Sequence, residues 1–160
     1  MRHLHISEVM LVINDDRTGD LVSSVPPYSA SGDWVPLAKS WVRLFSPHRI
    51  DDERFCEDNF RLGKPEETKP VHHLHWFGGV LTGCEAIERL HKLGFEPASP
   101  LAAGLFLQVH GDLQLNWPLL GGGRYQDLVP NFYHDAGNRI ASVHDLRHCL
   151  QGSAWIVSEL

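Results

Sequence analysis

Cysteine is scarce in this chain, and its scarcity excludes two kinds of architecture. The three present, Cys56, Cys84 and Cys149, are odd in number and far apart among 160 residues. They supply neither a disulfide framework nor a CxxC zinc knuckle. Long apolar runs are missing as well, and nothing approaches the ~18 residues that a membrane-spanning helix needs. The opening MRHLHISEVMLVIN carries Glu8 inside its short apolar stretch and has no small-residue cleavage site, which argues against a secretory signal. Basic charge is outweighed, 14 Lys and Arg against 20 Asp and Glu, for a net charge of −6. A duplex phosphate backbone is therefore not the default partner. Internal repeats and low-complexity segments are also absent. The expectation is a reduced, cytoplasmic protein that meets no membrane and favours a protein partner with a basic surface.

Histidine is what the chain has in plenty, with 11 residues; protonating all of them would carry the net charge from −6 to +5. The apolar fraction of 42% is that of a folded globular chain. Its length suits a single domain spanning residues 1–160.

The best-marked element follows the densest histidines, in VHHLHWFGGVLTGCEAIERLHKLGF at 71–95. A strand over the histidines gives way to a glycine turn and then a helix at 82–93. Thr82 and Glu85 have the spacing of a capping box, and Gly94 stands where a left-handed terminator belongs. Ala86, Ile87, Leu90 and Leu93 form an apolar stripe between them.

Elsewhere HLHISEVMLVIN at 3–14 reads as a strand that returns through DDRTGD to LVSSV as a hairpin. Trp34, Leu37, Ala38, Trp41, Leu44 and Phe45 recur at helical spacing over 33–46, and DDERFCEDNFRL at 51–62 predicts a second helix. Alternation in GLFLQVHGDLQLNW predicts a hairpin or one bulged strand, and GGGRYQDLVPNFYHDAGN at 121–138 a long aromatic loop. Ser142 and Asp145 suggest a cap for a helix over 142–151, and SAWIVSEL reads as a closing strand. The fold expected is α+β: a mostly antiparallel sheet with about four helices packed on it, near 33–46, 51–62, 82–93 and 142–151.

Two function classes follow. The leading one is a small acidic protein that binds another macromolecule as an inhibitor or accessory subunit, with no cofactor. Its contact residues would be Asp51, Asp52, Glu57 and Asp58 on the acidic segment, with Arg124 and Tyr125 in the aromatic loop. The alternative is a metal-dependent enzyme of the hydrolase class, with zinc as cofactor. There His73 and His75 project from one face of a strand and His144 and His148 lie one helical turn apart. His3 and His5 repeat the strand pair.

Two short resemblances fail on inspection. HDLRH at 144–148 resembles the metalloprotease helix motif HExxH over five residues, but Asp145 replaces the glutamate and only 12 residues follow. HHLHWFGG is similar to the first cupin motif but lacks a glutamate three or four residues after His75. Cys84, in the first turn of its helix, reads as an inert small hydrophobe.

Overall fold

The computed structural model describes residues 12–15, 18–23 and 41–160. Residues 3–11 of the expected 3–14 strand, the His3–His5 pair and the start of the 33–46 helix lie outside these residues.

In chain order the elements are β1 (Val12–Asn14), β2 (Leu21–Ser23), α1 (Trp41–Phe45), β3 (Arg49–Ile50), β4 (His73–Trp76), β5 (Leu81–Thr82), α2 (Gly83–Leu93), β6 (Phe95–Pro97) and α3 (Pro100–His110). They continue with β7 (Leu119–Leu120), β8 (Leu128–Asp135), β9 (Asn138–Asp145), β10 (Cys149–Leu150) and β11 (Ala154–Glu159). A nine-stranded sheet runs β1-β2-β4-β11-β7-β8-β9-β3, and β6 also pairs with β11. The sheet is mixed: β11 with β7 and β3 with β9 are parallel, and its other pairs are antiparallel. β5 and β10 form a separate two-stranded ribbon.

Both faces of this sheet are covered, and β11 shows it in four consecutive residues. Ala154 and Ile156 belong to the larger core, Trp155 and Val157 to the smaller one. The larger core holds α1, α3 and the aromatic residues Trp41, Phe45, Phe55, Phe60 and Phe132. There the Trp41 indole N–H donates to the Phe60 carbonyl at 2.9 Å, which satisfies its one polar atom. The smaller core lies under α2, whose Ala86, Ile87 and Leu90 meet Leu120, Val129, Leu146, Trp155 and Val157.

The α2 helix forms where its end signals predict. Thr82 Oγ1 accepts from the Glu85 N–H, Glu85 returns the bond to the Thr82 N–H, and Gly94 ends the helix at φ +90°. The β1–β2 hairpin is likewise present in the described residues.

The expectation of about four helices on a mostly antiparallel sheet is overturned. The chain is sheet-rich, with a nine-stranded mixed sheet and three α-helices among the described residues. Three segments account for the difference. Residues 51–62 are a string of turns rather than a helix. Asp52 bonds the Arg54 N–H at 2.9 Å, an Asx turn that competes with helical pairing, and the buried anchors Phe55 and Phe60 are five residues apart. Residues 142–151 are the end of β9, a tight turn at 146–148 and β10. Asp145 accepts from the Arg147 N–H at 2.9 Å and so builds a turn where a helix cap was expected. The long loop expected over 121–138 is strand in its second half: β8 begins at Leu128 and meets β9 through a tight turn in which Ala136 and Gly137 both have positive φ.

Conversely, the alternating stretch near residue 105 is a helix. Ser99 caps it through the Ala102 N–H at 3.3 Å, and Pro100 stands in the first turn. Its Leu101, Ala102, Ala103, Phe106 and Leu107 are all buried. A helix covered on so many sides has no clean polar face, so its sequence loses the 3.6-residue period. Gly104 lets α3 approach α1, because a Cβ there would overlap the Leu44 side chain.

Candidate functional site

The chemistry concentrates on the α2 face of β4. Strand alternation sends Leu74 and Trp76 into the larger core and turns His73 and His75 toward α2, opposite Val157 and Trp155 of β11. Both histidines are buried, with 5% and 1% of their surface exposed. Phe95 lies against His72 and His73 at ring separations of 5.0 and 4.7 Å, and Phe77 against His75 at 4.6 Å.

Their polar atoms are joined in series. His75 Nε2 lies 2.8 Å from Asp20 Oδ2, His75 Nδ1 lies 3.0 Å from His73 Nε2, and His73 Nδ1 lies 2.8 Å from His72 Nδ1. His72 Nε2 then faces Glu159 Oε1 at 3.4 Å. Exposure rises along this line. Asp20 is 3% exposed, while the side chains of His72 and Glu159 are 46% and 70% exposed. Five residues thus join a buried carboxylate to the surface through three imidazoles.

Local backbone positions each member. Asp20 ends the β1–β2 turn, where Gly19 takes φ +75° and the Asp20 N–H bonds Thr18 Oγ1 at 3.2 Å. Its second carboxylate oxygen accepts the Gly78 N–H at 2.8 Å, which ties the β1–β2 turn to the chain beyond β4. His72 stands just before β4, and its N–H bonds the Val157 carbonyl at 2.7 Å, extending the ladder by one bond. Burial, and then the neighbouring His75 and His72, hold the His73 imidazolium far down, to about 3, so His73 is neutral at physiological pH.

Asp20 also lines a cavity of about 240 Å³ together with Thr18, Arg89, Lys92 and Leu93. Arg89 and Lys92 come from the last turns of α2; Lys92 reaches Glu88 at 3.4 Å, and Arg89 makes no ion pair among the described residues. The cavity therefore has two cations on its helix side and the buried end of the imidazole line at its wall.

The other nominated residues fall elsewhere. His144 is on β9 and His148 in the turn after it, with rings 6.4 Å apart, and the His144 Nε2–H donates to the His148 carbonyl at 3.3 Å. Burial pushes the His144 imidazolium down. No hydrogen bond or ring contact joins this pair to His73 and His75, whose four ring nitrogens are already taken up in series. Among the described residues no group of three or more His, Cys, Asp or Glu is arranged to hold a metal ion.

Of the acidic segment, Asp51 and Asp52 are matched within the chain. Arg49 Nε lies 2.5 Å and the Tyr133 hydroxyl 2.9 Å from Asp51, and Arg54 Nη2 lies 2.8 Å from Asp52. These bonds hold both carboxyls below the ordinary range. Glu57 and Asp58 are exposed and make no ion pair among the described residues. Arg124 donates to the Gln126 carbonyl and faces Asp127 at 3.7 Å, while half-buried Tyr125 packs on Phe60.

Asp20, His72 and Glu159 are the members that sequence reasoning missed. Strand alternation sets His72 on the opposite face from His73 and His75, and nothing local links Asp20 to a histidine 55 residues away. The chain matches no family model, no curated protein and no solved structure.

Proposed function

We propose that this chain is an acid–base catalyst that needs no metal and transfers a proton to a small anionic molecule held beside Asp20. The observation that carries the reading is the unbroken line of hydrogen-bonding atoms from Asp20 in the cavity wall to His72 at the surface. Arg89 and Lys92 would offset the charge of an anion that the Asp20 carboxylate alone would repel. Asp20 is the proton donor, and the imidazoles resupply it from solvent. A proton taken up at His72 Nε2 sends the Nδ1 proton of His72 to His73. The Nε2 proton of His73 then passes to His75, and that of His75 to Asp20. One proton is delivered, and each imidazole is left in its other tautomer until the line resets. Phe77 and Phe95 pack on its imidazole rings. The three free thiols suit a reducing, cytoplasmic setting.

This reading ranks above macromolecular binding through the acidic segment because Asp51 and Asp52 already have cationic partners within the chain. A panel of small carboxylates and phosphate esters tests it by proton NMR in heavy water, which follows both amide shifts at Thr18, Arg89 and Leu93 and chemical change in the ligand. The expected result is a ligand that shifts these amides and is converted or deuterated. Asp20→Asn should slow that change by about 10²–10⁴-fold, the usual worth of one general acid or base. A panel in which no anion moves these amides, or conversion that survives Asp20→Asn, would overturn the proposal.

A further inference from the structure

We infer that Asp20 sets the tautomer of His72, three side chains away, so that this surface histidine presents a bare Nε2 to solvent as the proton port of the line. The inference rests on the acid–base reading and adds to it two positioning residues, His75 and His73. It follows from counting donors. A carboxylate only accepts, and one Asp20 oxygen is already occupied by the Gly78 N–H at 2.8 Å. The other, 2.8 Å from His75 Nε2, requires the proton to sit on that nitrogen. In its neutral form His75 then has only a lone pair at Nδ1, so His73 must donate from Nε2 across 3.0 Å. His73, kept neutral by burial, has in turn only a lone pair at Nδ1. His72 must therefore carry its proton on Nδ1, across 2.8 Å. What remains at the surface is a bare His72 Nε2, the opposite of the Nε2–H form that a free imidazole side chain favours. Glu159 Oε1 lies 3.4 Å from that atom.

The same count makes a sharp statement about one substitution. In Asp20→Asn the amide oxygen keeps the Gly78 N–H, so the amide nitrogen must face His75 Nε2 and donate to it. His75 then carries its proton on Nδ1, His73 on Nδ1 and His72 on Nε2. A one-atom change at a buried turn reverses three rings and closes the surface port.

Long-range proton–nitrogen correlation on histidine-labelled protein at mildly alkaline pH reads all three tautomers directly. The wild type should give His75 Nε2–H, His73 Nε2–H and His72 Nδ1–H, and Asp20→Asn the reverse set. His73→Leu, which breaks the line in the middle, should return His72 to the ordinary Nε2–H form while His75 keeps its own. It also serves if the Asn variant does not fold. His72 in the Nε2–H form in the wild type, or unchanged by either variant, overturns the inference. If the tautomers switch while no anion binds beside Asp20, the catalytic reading fails and this one stands. Turnover with unswitched tautomers gives the reverse.

Discussion

His75 and Asp20 lie 2.8 Å apart with 1% and 3% of their surfaces exposed, although 55 residues separate them in the chain. Asp20 comes from the β1–β2 turn and His75 from the middle of β4, so the pair staples a hairpin turn to an inner strand. Among the described residues, Gly78 supplies the one other donor to the Asp20 carboxylate. Removing the imidazole leaves a buried carboxylate short of one donor, a loss of about 1.5–3 kcal/mol, the worth of a hydrogen bond to a charged group. His75→Leu should therefore lower the unfolding free energy by that order. Adding Asp20→Asn to it should restore part of the loss, since the amide removes the stranded charge. Chemical denaturation of the single and double variants checks this, and a double variant no more stable than His75→Leu would deny the pair its electrostatic role.

The buried His73 makes stability depend on pH in a stated window. Its folded value is about 3 and its unfolded value the ordinary 6.5, so between them the unfolded chain binds a proton that the folded chain does not. Stability should rise with pH across that window and be complete above it. His73 contributes a slope of up to about 1.4 kcal/mol per pH unit. The groups that act on it are His75 and His72, which add to the depression, and Asp15, which opposes it. Burial of His110 and His144 gives the same sign. Urea midpoints between pH 4 and 7.5 for the wild type and His73→Asn should diverge toward acid, with the variant flatter. Parallel curves would mean that His73 charges in the folded state at no cost.

How much of this could be read from the residues depends on the range of the interactions involved. The α2 helix was legible because Thr82, Glu85 and Gly94 settle its ends within 13 residues, through hydrogen bonds that any helix would need. The placement of His73 and His75 on one strand face was legible for the same reason, since alternation is local. The α3 helix was hidden because burial on nearly every side erased its period, leaving only Leu105, Leu107 and Val109 to suggest a strand. Asp52 and Asp145 misled in another way. Asp52 stands near the start of the expected 51–62 helix and Asp145 in the expected cap of the 142–151 helix, yet each closes a turn by also bonding an arginine two residues on. Asp20 could not be found at all, since only the pairing of β2 with β4 brings it to His75.

Leu90 tests the docking of α2. It is fully buried on α2, in the smaller core that also holds Trp155. Leu90→Ala removes three carbons from a packed site and should cost about 2–5 kcal/mol, depending on how far the surroundings close in. Thermal or urea unfolding measures it directly. A loss within a few tenths of a kilocalorie, against that same range, would place the stripe of α2 outside the core.

Gly104 tests the contact between α3 and α1. Alanine is the better helix former by roughly 1 kcal/mol, so on propensity alone Gly104→Ala should stabilise α3. Here the added methyl meets Leu44, and overpacking of such a site costs about 1–3 kcal/mol. The expected outcome is a net loss of stability, recovered in part by Leu44→Ala in the same chain. A Gly104→Ala variant more stable than the wild type would show that α1 yields at no cost.

The acidic segment offers a prediction that separates structural from interfacial charge. Asp52 accepts both from the Arg54 N–H and from its guanidinium, which holds the turn that brings Phe55 into the larger core. Asp52→Lys should therefore disturb this turn whether or not a partner exists. Glu57 and Asp58 carry no such internal role, so reversing them to lysine should leave unfolding within about 0.5 kcal/mol of the wild type, as for most surface changes. If a basic protein docks on this segment, the Glu57→Lys, Asp58→Lys double variant should slow its association and flatten the salt dependence of the rate. Should that partner associate at the same rate and with the same salt slope as before, the segment is only the outer surface of a turn built around Phe55 and Phe60.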